Sequence, residues 1–393
     1  MDITPQTEEP LLTVVIPVYN GERHLRKTLK HILKIRFRAM ELILIDDGST
    51  DASGEICREY ESRDERIRYI RQDNRGIAES RNRGIELARG EYIGFWDQDD
   101  IVIPKGYFAL LHEMREEHAQ MGMCSTGRMI RGKLSSYENL GNGVCSGDEV
   151  RTQLLYPILF RGYRYPFADT GHYLYGSVWK CIFRTDFVRD NHIRFRRFIH
   201  YEDDWIFVTH ALCFADRAVT TAETGYCWRV DEESESHTGV YIEDMPEKFE
   251  AYDRYVLDYL TQGINNKKVL AEYKNVGMCE HYIDLYRNAA NVRGTGSDRD
   301  KCRRQIREYL LRTDYKKRIA CRKYLTNTAY RRRIVLGSLR YCGMEFTYII
   351  SRIYDRLETG LSRIPWIVRL ERRRKMKQNR EESDETHYSD TVL

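Results

Sequence analysis

Residues 90–104 read GEYIGFWDQDDIVIP, an apolar run that ends abruptly in a cluster of acidic side chains. Like charges packed this closely repel one another, so we expect a cation among them. Asp97 and Asp99 are two positions apart, and on an extended segment both side chains project from the same face. Two carboxylates on one face suit Mg²⁺ or Mn²⁺, which bind one or two carboxylates together with substrate phosphates. The alternative is an acidic loop that caps the following helix.

The pattern before these acids predicts a sheet of alternating strands and helices. Four apolar runs predict strands at Leu11–Val18, Glu41–Ile45, Ile67–Ile70 and Tyr92–Trp96. Three helical patterns lie between them: His24–Ile35, a polar amphipathic segment around Ile56 and Tyr60, and Ile77–Ala88. This alternation indicates βαβ units on a mostly parallel sheet flanked by helices, a Rossmann-like α/β fold. Ligands of such sheets bind beyond the carboxyl ends of the strands. The polar residues that follow the strands should gather there.

The remainder of the chain is predicted to be irregular at first and then mainly helical. Residues 125–175 are rich in Gly, Ser and Tyr and are expected to lack regular structure. A helix is predicted at Pro104–His118 and a strand at Trp179–Phe183. Further helical patterns cover Asp203–Ala215 and Met245–Tyr286.

These patterns lead to a domain prediction. The main domain is placed at residues 11–240, with its two halves at 11–110 and 111–240. The other segments are a flexible N-terminus at 1–10, a helical extension at 241–345, a basic amphipathic segment at 346–380 and a disordered tail at 381–393.

The composition favours a cytoplasmic protein. The ten cysteines stand singly with no CxxC pair, which is typical of reduced thiols. Met1–Pro10 is polar and acidic rather than a secretory signal, and no apolar run approaches the length of about 18 residues that a membrane span needs. The net charge of +4 conceals a stretch dense in Arg and Lys from Arg299 to Arg380.

The sequence lacks the motifs that are typical of several other classes of protein. A dinucleotide dehydrogenase needs GxGxxG after the first strand, where this chain has VVIPVYNGE. The same segment lacks the Gly-rich phosphate loop, with a following Arg and Lys, of a nucleotidyltransferase. Basic residues without a recognisable motif are weak support for nucleic-acid binding, so no nucleic-acid partner is expected.

Four motifs in order resemble glycosyltransferase family 2: VVIPVYN from Val14, LIDDGSTD from Leu44, DNRGIAESRNRGIELARGEYIGFWDQDD from Asp73 and YEDDWIF from Tyr201. The resemblance is close over residues 11–110, thinner to about residue 240 and absent beyond it. It implies the GT-A fold. It also implies an inverting, metal-dependent transfer of a sugar from a nucleotide diphosphate, most often a UDP-hexose or UDP-N-acetylhexosamine.

The resemblance assigns nucleotide-sugar contacts to the first half of the domain. Pro17 and Tyr19 match residues that line the nucleotide pocket, with Tyr19 beside the base, and Asp47 matches the carboxylate that binds the base. Arg81 matches an arginine that often reaches the nucleotide, and Asp97 a residue near the ribose or the metal. Simpler alternatives are a core-edge aromatic for Tyr19, turn chemistry for Asp47 and a solvated helix residue for Arg81.

The resemblance also suggests a metal centre and a phosphate contact. Asp99 matches the direct ligand of Mn²⁺ or Mg²⁺. His237, on the polar loop after the YCWR segment, is a candidate third ligand, and Arg229 is a candidate diphosphate contact. The alternative for His237 is an exposed loop residue.

The acceptor side is predicted from the second acidic cluster, HYEDD at residues 200–204. An acceptor hydroxyl is a poor nucleophile, so a carboxylate within hydrogen-bond reach must take its proton. By resemblance, Asp203 is this base, although the doubled aspartate at Asp204 leaves its identity open. Glu202, Trp179 and Lys180 are acceptor-side candidates. Helix capping is the alternative for the acids, and core packing for Trp179.

The C-terminal sequence suggests a location. Arg363–Arg380 combines basic residues with Trp366 and several aliphatic side chains, a pattern that suits a helix lying on an anionic bilayer. Bacterial family members that extend capsule, exopolysaccharide or lipopolysaccharide chains act on glycan or lipid-linked acceptors at the inner leaflet. A solvated helix or an oligomer contact is the alternative. A non-catalytic sugar-nucleotide-binding partner of another transferase is the alternative for the whole chain.

Overall fold

A computed structural model describes residues 9–130, 133–161, 174–199, 202–229, 241–292, 296–319 and 330–361. The chain forms two compact units. The first comprises Met1–Thr238 with Glu247–Val276, and the second comprises Gly239–Pro246 with Gly277–Leu393. The predicted boundary near residue 240 stays a prediction.

The first unit begins with the predicted βαβ units. Strands β1 (Leu12–Val18), β2 (Met40–Asp46), β3 (Ile67–Arg71) and β4 (Tyr92–Phe95) pair in parallel in the order β3-β2-β1-β4. Helices α1 (Glu22–Ile32), α2 (Ser53–Glu61) and α3 (Ile77–Leu87) connect them. β1, β2 and β4 are buried throughout, which explains their continuous apolar sequences. The α/β prediction is confirmed.

The second half of the sheet is mixed rather than parallel. It adds β5 (Ile101–Val102), β6 (Met121–Ile130), β7 (Lys133–Glu138), β8 (Gly143–Ser146), β9 (Cys181–Arg184) and β10 (Arg217–Arg229). The order continues β4-β9-β6-β10-β5, with β7 paired to β6 and β8 to β10. The prediction that residues 125–175 are irregular is therefore wrong for residues 125–130 and for β7 and β8. β8 pairs with the distant β10, whereas β7 forms a hairpin with the preceding strand β6, and a composition rich in Gly and Ser reveals neither pairing.

Helices cover this sheet and complete the first unit. They are α4 (Pro104–Glu116), a π-helical turn (Val150–Leu155) leading into α5 (Tyr156–Leu159), a 3₁₀ turn (Val178–Lys180), α6 (Thr185–Asp190), α7 (Asp203–Phe214) and α8 (Met245–Gly263). Helix α9 (Lys267–Ala290) follows, and the division between the two units falls within it. The helices predicted at Pro104–His118 and Asp203–Ala215 are confirmed, while the Met245–Tyr286 pattern is two helices.

The second unit is helical, as predicted. Beyond α9 it contains α10 (Gly296–Arg312), α11 (Tyr315–Ile319), α12 (Tyr330–Tyr341) and α13 (Met344–Leu361). Buried polar contacts join its helices, among them His281 with the Tyr309 hydroxyl at 2.9 Å and the Tyr282 hydroxyl with Thr313 at 3.0 Å. Within the described residues, no helix is both long enough and apolar enough to cross a membrane.

A buried ion pair lies within the mixed part of the sheet. Lys180 is fully buried, and its Nζ donates to Glu138 Oε2 at 2.5 Å. The other oxygen, Oε1, accepts the backbone N–H of Tyr175 at 2.9 Å. An unpaired charge at this depth is costly, so each partner depends on the other.

We predict that Lys180→Met destabilises the protein by about 3–5 kcal/mol, because it leaves the Glu138 carboxylate buried and unpaired. Adding Glu138→Gln should recover part of this loss, since the amide oxygen still accepts from Tyr175. Urea unfolding followed by circular dichroism measures both variants. Lys105→Met is the matched control: its pair with Glu223 is exposed, so it should cost less than about 1 kcal/mol. A double variant no more stable than Lys180→Met would contradict the prediction.

Acid should destabilise the second unit through His281. Burial lowers the pKa of His281 to about 3, whereas the ordinary value is 6.5. Below about pH 6.5 His281 is therefore protonated in the unfolded chain but still neutral in the folded chain. The free energy of unfolding falls as the pH falls. Between about pH 7 and pH 5 this amounts to about 2 kcal/mol in the free energy of unfolding.

His281→Gln should flatten this pH dependence by about the same 2 kcal/mol, because glutamine keeps a hydrogen-bonding group beside Tyr309 but does not titrate. Urea unfolding at the two pH values gives the difference. His112→Gln is the matched control, since the His112 side chain is 74% exposed and its removal should leave the slope unchanged. Equal slopes for His281→Gln and the wild type would refute the assignment.

Candidate active site

The end of β1 forms one wall of the candidate site. Pro17 is buried within β1, whereas Tyr19 just beyond it is 44% exposed, which argues against a core role for its ring. The Gln98 side-chain amide binds both backbone groups of Tyr19. The Tyr19 N–H donates to Gln98 Oε1, and Gln98 Nε2 donates to the Tyr19 carbonyl, both at 3.1 Å. The loop after β1 is therefore tied to the loop after β4.

Asp47 follows β2 and organises the turn that leads into α3. The Asp47 carboxylate accepts the backbone N–H groups of Arg75 at 2.9 Å and Gly76 at 2.7 Å, together with Gln72 Nε2 at 2.7 Å. Gly76 has φ +86°, a conformation that favours glycine. This local network gives Asp47 a structural function, and base binding by Asp47 stays a prediction.

The acidic residues after β4 do not lie on an extended segment. β4 ends at Phe95, and Gln98 and Asp99 lie in a turn, so the prediction of a shared face from strand alternation is wrong. The Tyr226 hydroxyl accepts the Asp97 N–H at 2.9 Å. Asp100 Oδ1 accepts the Arg229 N–H at 2.8 Å, so β10 fixes both ends of this turn.

Trp179 supports this turn from within the core. Its ring is 8% exposed and stacks on Tyr226, with ring centroids 4.7 Å apart and an interplanar angle of 22°. Lys180 is buried in its ion pair with Glu138. The structure thus places both candidates in the interior, as the core-packing alternative for Trp179 expects, and an acceptor contact for either stays a prediction.

Arg81 gathers three carboxylates at the sheet edge. Arg81 is 3% exposed, so the alternative of a solvated helix residue is wrong. Its Nη1 donates to Asp203 Oδ2 at 2.9 Å and to Asp204 Oδ1 at 2.5 Å, and its Nη2 donates to Asp97 Oδ1 at 2.9 Å. Burial opposes the charged guanidinium, but the carboxylates outweigh burial and raise the pKa of Arg81. Direct contact of Arg81 with a nucleotide stays a prediction.

Asp203 and Asp204 occupy the first turn of α7. Burial raises the pKa of Asp204 to about 7; Arg81 opposes this shift, and the neighbouring Asp203 and Asp97 add to it. Asp204 Oδ2 also accepts the Val178 N–H at 3.2 Å, so both of its oxygens are engaged. Asp203 has only Oδ2 bound to Arg81, and its Oδ1 has no hydrogen bond among the residues that the structure describes.

Asp99 lies within electrostatic range of two basic side chains, His24 and Arg229, that come from distant parts of the sequence. Burial and repulsion from Asp97 raise the pKa of Asp99, while the nearby His24 and Arg229 act in the opposite direction. Arg229 Nη1 lies 3.2 Å from His24 Nδ1. His237 lies outside the described residues. Among those described, no group of three His, Cys, Asp or Glu residues could hold a metal ion.

Glu202 orders the backbone that precedes α7. Its Oε1 accepts the N–H of Phe198 at 2.6 Å and also that of Ile199. These contacts give Glu202 a local structural function. Contact of Glu202 with an acceptor stays a prediction.

Sequence reasoning missed Gln98, Tyr226 and His24 as parts of the site. Gln98 offered a weak signal, since it stands between the two aspartates. Tyr226 and His24 offered none, because their contacts with Asp97 and Arg229 join residues more than a hundred positions apart.

Comparison with known proteins matches residues 13–162 to the model of glycosyl transferase family 2. The uncharacterized glycosyltransferase EpsJ of Bacillus subtilis is 28% identical over 305 residues, which cover 76% of this chain and 84% of EpsJ. GlyG, a glycosyltransferase of Streptococcus pneumoniae, is 43% identical over 28% of this chain and 37% of its own length. The chondroitin synthase of Escherichia coli is 33% identical over 31% of this chain and 18% of its own length.

Among solved structures, S. aureus TarS 1–349 in complex with UDP-GlcNAc superposes with a TM-score of 0.59 at 18% identity, covering 88% of this chain and 91% of TarS 1–349. At this identity the likeness concerns the fold. The order β3-β2-β1-β4, the acids beyond β4 and the matched family model agree with one another. Residues 13–162 are therefore similar to glycosyl transferase family 2, the fold is the GT-A fold, and the chain is a glycosyltransferase.

Proposed function

We propose that this glycosyltransferase inverts the sugar it transfers, moving a hexose or N-acetylhexosamine from UDP to a hydroxyl of a glycan or lipid-linked acceptor. The observation that carries the proposal is the meeting of Asp97 with Asp203 on the single guanidinium of Arg81. It brings the acids of the loop after β4 next to the first turn of α7. A donor and an acceptor bound at these two elements would meet between them.

The donor is assigned to the edge formed by β1, β2 and β4. Tyr19 is exposed just beyond β1, the buried Asp47 donates its N–H to the Val18 carbonyl at the end of β1 at 2.8 Å, and parallel sheets bind nucleotides at this edge. TarS, which shares the fold, was solved with UDP-GlcNAc, and this supports a UDP-sugar as the first donor to test. Arg229 lies close enough to Asp99 to act on its charge, which suits a contact to a diphosphate nearby.

Asp99 and Asp97 fit a divalent cation. Burial, and then repulsion from Asp97, raise the pKa of Asp99, and a cation would relieve that repulsion. Two carboxylates with substrate phosphates and water form a set that Mn²⁺ and Mg²⁺ accept. When bound, the ion would neutralise charge on the departing UDP. His237 is proposed as a third ligand.

Asp203 is proposed as the base. The Asp203 carboxylate has one oxygen fixed by Arg81, which leaves Oδ1 to accept the proton of the acceptor hydroxyl. The acceptor oxygen attacks the anomeric carbon from the side opposite the diphosphate, and UDP leaves as the new bond forms. A single displacement of this kind inverts the configuration.

Capsule or exopolysaccharide synthesis is the proposed context. The chain shares sequence with a chondroitin synthase and with a cholesterol galactosyltransferase of Borreliella burgdorferi, which is 27% identical over 50% of this chain. Polysaccharide and lipid hydroxyls are therefore the acceptor classes to test first.

Asp99→Asn and Asp203→Asn should separate donor binding from transfer. Asp99→Asn should weaken Mn²⁺-dependent binding of UDP at least about tenfold, because it removes an anionic ligand. Asp203→Asn should keep that affinity but slow release of UDP from the donor about 100- to 10,000-fold, the range for loss of a general base. Calorimetry with UDP and a UDP-release assay, with UDP-GlcNAc, UDP-glucose and UDP-galactose as donors and octyl glycosides as acceptors, measure both.

Glu223→Gln is the control, since Glu223 lies in an exposed pair with Lys105. Unchanged UDP affinity in Asp99→Asn would remove Asp99 from the metal site. Full activity in Asp203→Asn would assign the base elsewhere.

A membrane-surface location is proposed for the second unit. Phe346, Ile349 and Ile353 on α13 are 46%, 50% and 48% exposed and lie on one helical face, while Tyr348 and Ser351 are buried. An apolar face turned towards solvent needs a partner. Residues 299–380 carry 25 Lys and Arg against 7 Asp and Glu, which favours an anionic bilayer over a second copy of the same positive chain.

The triple variant Phe346→Ser, Ile349→Ser and Ile353→Ser should bind phosphatidylglycerol vesicles about 100-fold more weakly, since three inserted side chains are lost. Vesicle sedimentation measures this, and phosphatidylcholine vesicles should bind both proteins poorly. Leu311→Ser is the matched control, because Leu311 is 58% exposed but lies on α10. Equal binding of the triple variant would refute the docking face. The basic residues 363–380, outside the described residues, remain part of this proposal.

A further inference from the structure

The two aspartates at the start of α7 differ in how many of their carboxylate oxygens accept a hydrogen bond. Asp204 uses Oδ1 for Arg81 and Oδ2 for the Val178 N–H. Asp203 shares the same Nη1 of Arg81 through Oδ2 alone. Asp204 is therefore hydrogen-bonded through both oxygens, and Asp203 through one.

Helix α3 also holds the segment that leads to these aspartates. Asn82 forms a pair of hydrogen bonds with the backbone of Phe195, from Asn82 Nδ2 to the carbonyl at 3.0 Å and from the Phe195 N–H to Asn82 Oδ1 at 2.9 Å. The Arg81 guanidinium lies over the Phe195 ring, 5.2 Å from its centroid. Adjacent residues of α3 thus fix both the approach to α7 and its first turn.

The other amino group of the guanidinium reaches the opposite side of the site. Arg81 Nη2 binds Asp97 Oδ1, and Asp97 is fixed in turn through its N–H on the Tyr226 hydroxyl. A planar guanidinium keeps its donors at fixed separations, so it sets the spacing between the carboxylates that it binds. A lysine ammonium would supply charge without that spacing.

We propose that Arg81 is a positioning residue that fixes the distance between the donor-side Asp97 and the base Asp203, with Asp204 as its anchor. This rests on the proposed function, in which Asp203 takes the proton of the attacking hydroxyl. It differs from the expectation that Arg81 binds the nucleotide, because a positioning residue changes the rate of the chemical step more than donor binding.

Hydrolysis of the donor tests the proposal without a known acceptor. Water replaces the acceptor hydroxyl: its oxygen bonds to the anomeric carbon, its proton passes to Asp203 and the bond to UDP breaks. The full chain is assayed for UDP release from UDP-GlcNAc, UDP-glucose and UDP-galactose with Mn²⁺ as a function of donor concentration. Arg81→Lys keeps the charge, and Arg83→Lys is the matched control on the same helix, where Arg83 Nη1 contacts Gln72.

Arg81→Lys should lower kcat about 100-fold, the scale of a misplacement near 1 Å, while KM changes less than about threefold. Arg83→Lys should leave both unchanged. A raised KM with unchanged kcat would assign Arg81 to nucleotide binding instead. A wild-type protein that releases no UDP from any of the three donors, with or without octyl glycoside acceptors, would overturn the proposed function. An active wild type with an unaffected Arg81→Lys variant would overturn only the positioning role.

Asp204→Asn extends the test if Arg81→Lys fails to fold. Asparagine keeps an oxygen for Arg81 and gives up only the acceptor for the Val178 N–H, so this variant should lose about tenfold in kcat or less, well below the loss in Asp203→Asn. Equal losses in both aspartate variants would show that Asp204 shares the base function and would refute its role as an anchor.

Discussion

The sharing of Arg81 among Asp97, Asp203 and Asp204 is the interaction on which the site depends. Parallel strands deliver their carboxyl ends to one edge, so acids placed after them are forced together. Three carboxylates within hydrogen-bond reach of one buried point would repel one another, and at an effective dielectric of about 20 each close pair would cost about 4 kcal/mol. The guanidinium offsets this repulsion and leaves the cluster with a net negative charge, which favours a further cation.

A second layer of contacts keeps the acidic turn in place. Tyr226 from β10 lies beneath it, with its hydroxyl bound to the Asp97 N–H and its ring stacked on Trp179. Gln98 joins the same turn to the backbone of Tyr19. Because these contacts come from the loop after β1 and from β10, the position of the turn depends on strand pairing across the whole mixed sheet.

The sequence predicted the parts of the fold that periodicity controls, and it predicted less where long-range pairing decides. The strands up to Phe95 and the helices at α3, α4 and α7 follow from apolar spacing. β8 was missed because it becomes a strand only by pairing with the distant β10, and β7 was missed because the Gly and Ser residues of its hairpin with β6 are typical of turns. The separate roles of Asp97 and Asp203 were predicted from resemblance, whereas their meeting on Arg81 needed coordinates, because a helical arginine gives no local sign of burial.

The doubled aspartate of α7 has a physical explanation in these contacts. A base must keep one oxygen free for its substrate, yet it must also be held rigidly enough to meet the hydroxyl at the right distance. A carboxylate that binds a guanidinium through one oxygen and a backbone N–H through the other has fewer lone pairs left for a proton, and neither oxygen can turn freely towards a hydroxyl. Asp204 makes those two contacts, so Asp203 needs only a single bond to Arg81. The residue that looks redundant in the sequence would thus provide the rigidity that leaves its neighbour, the proposed base, free to react.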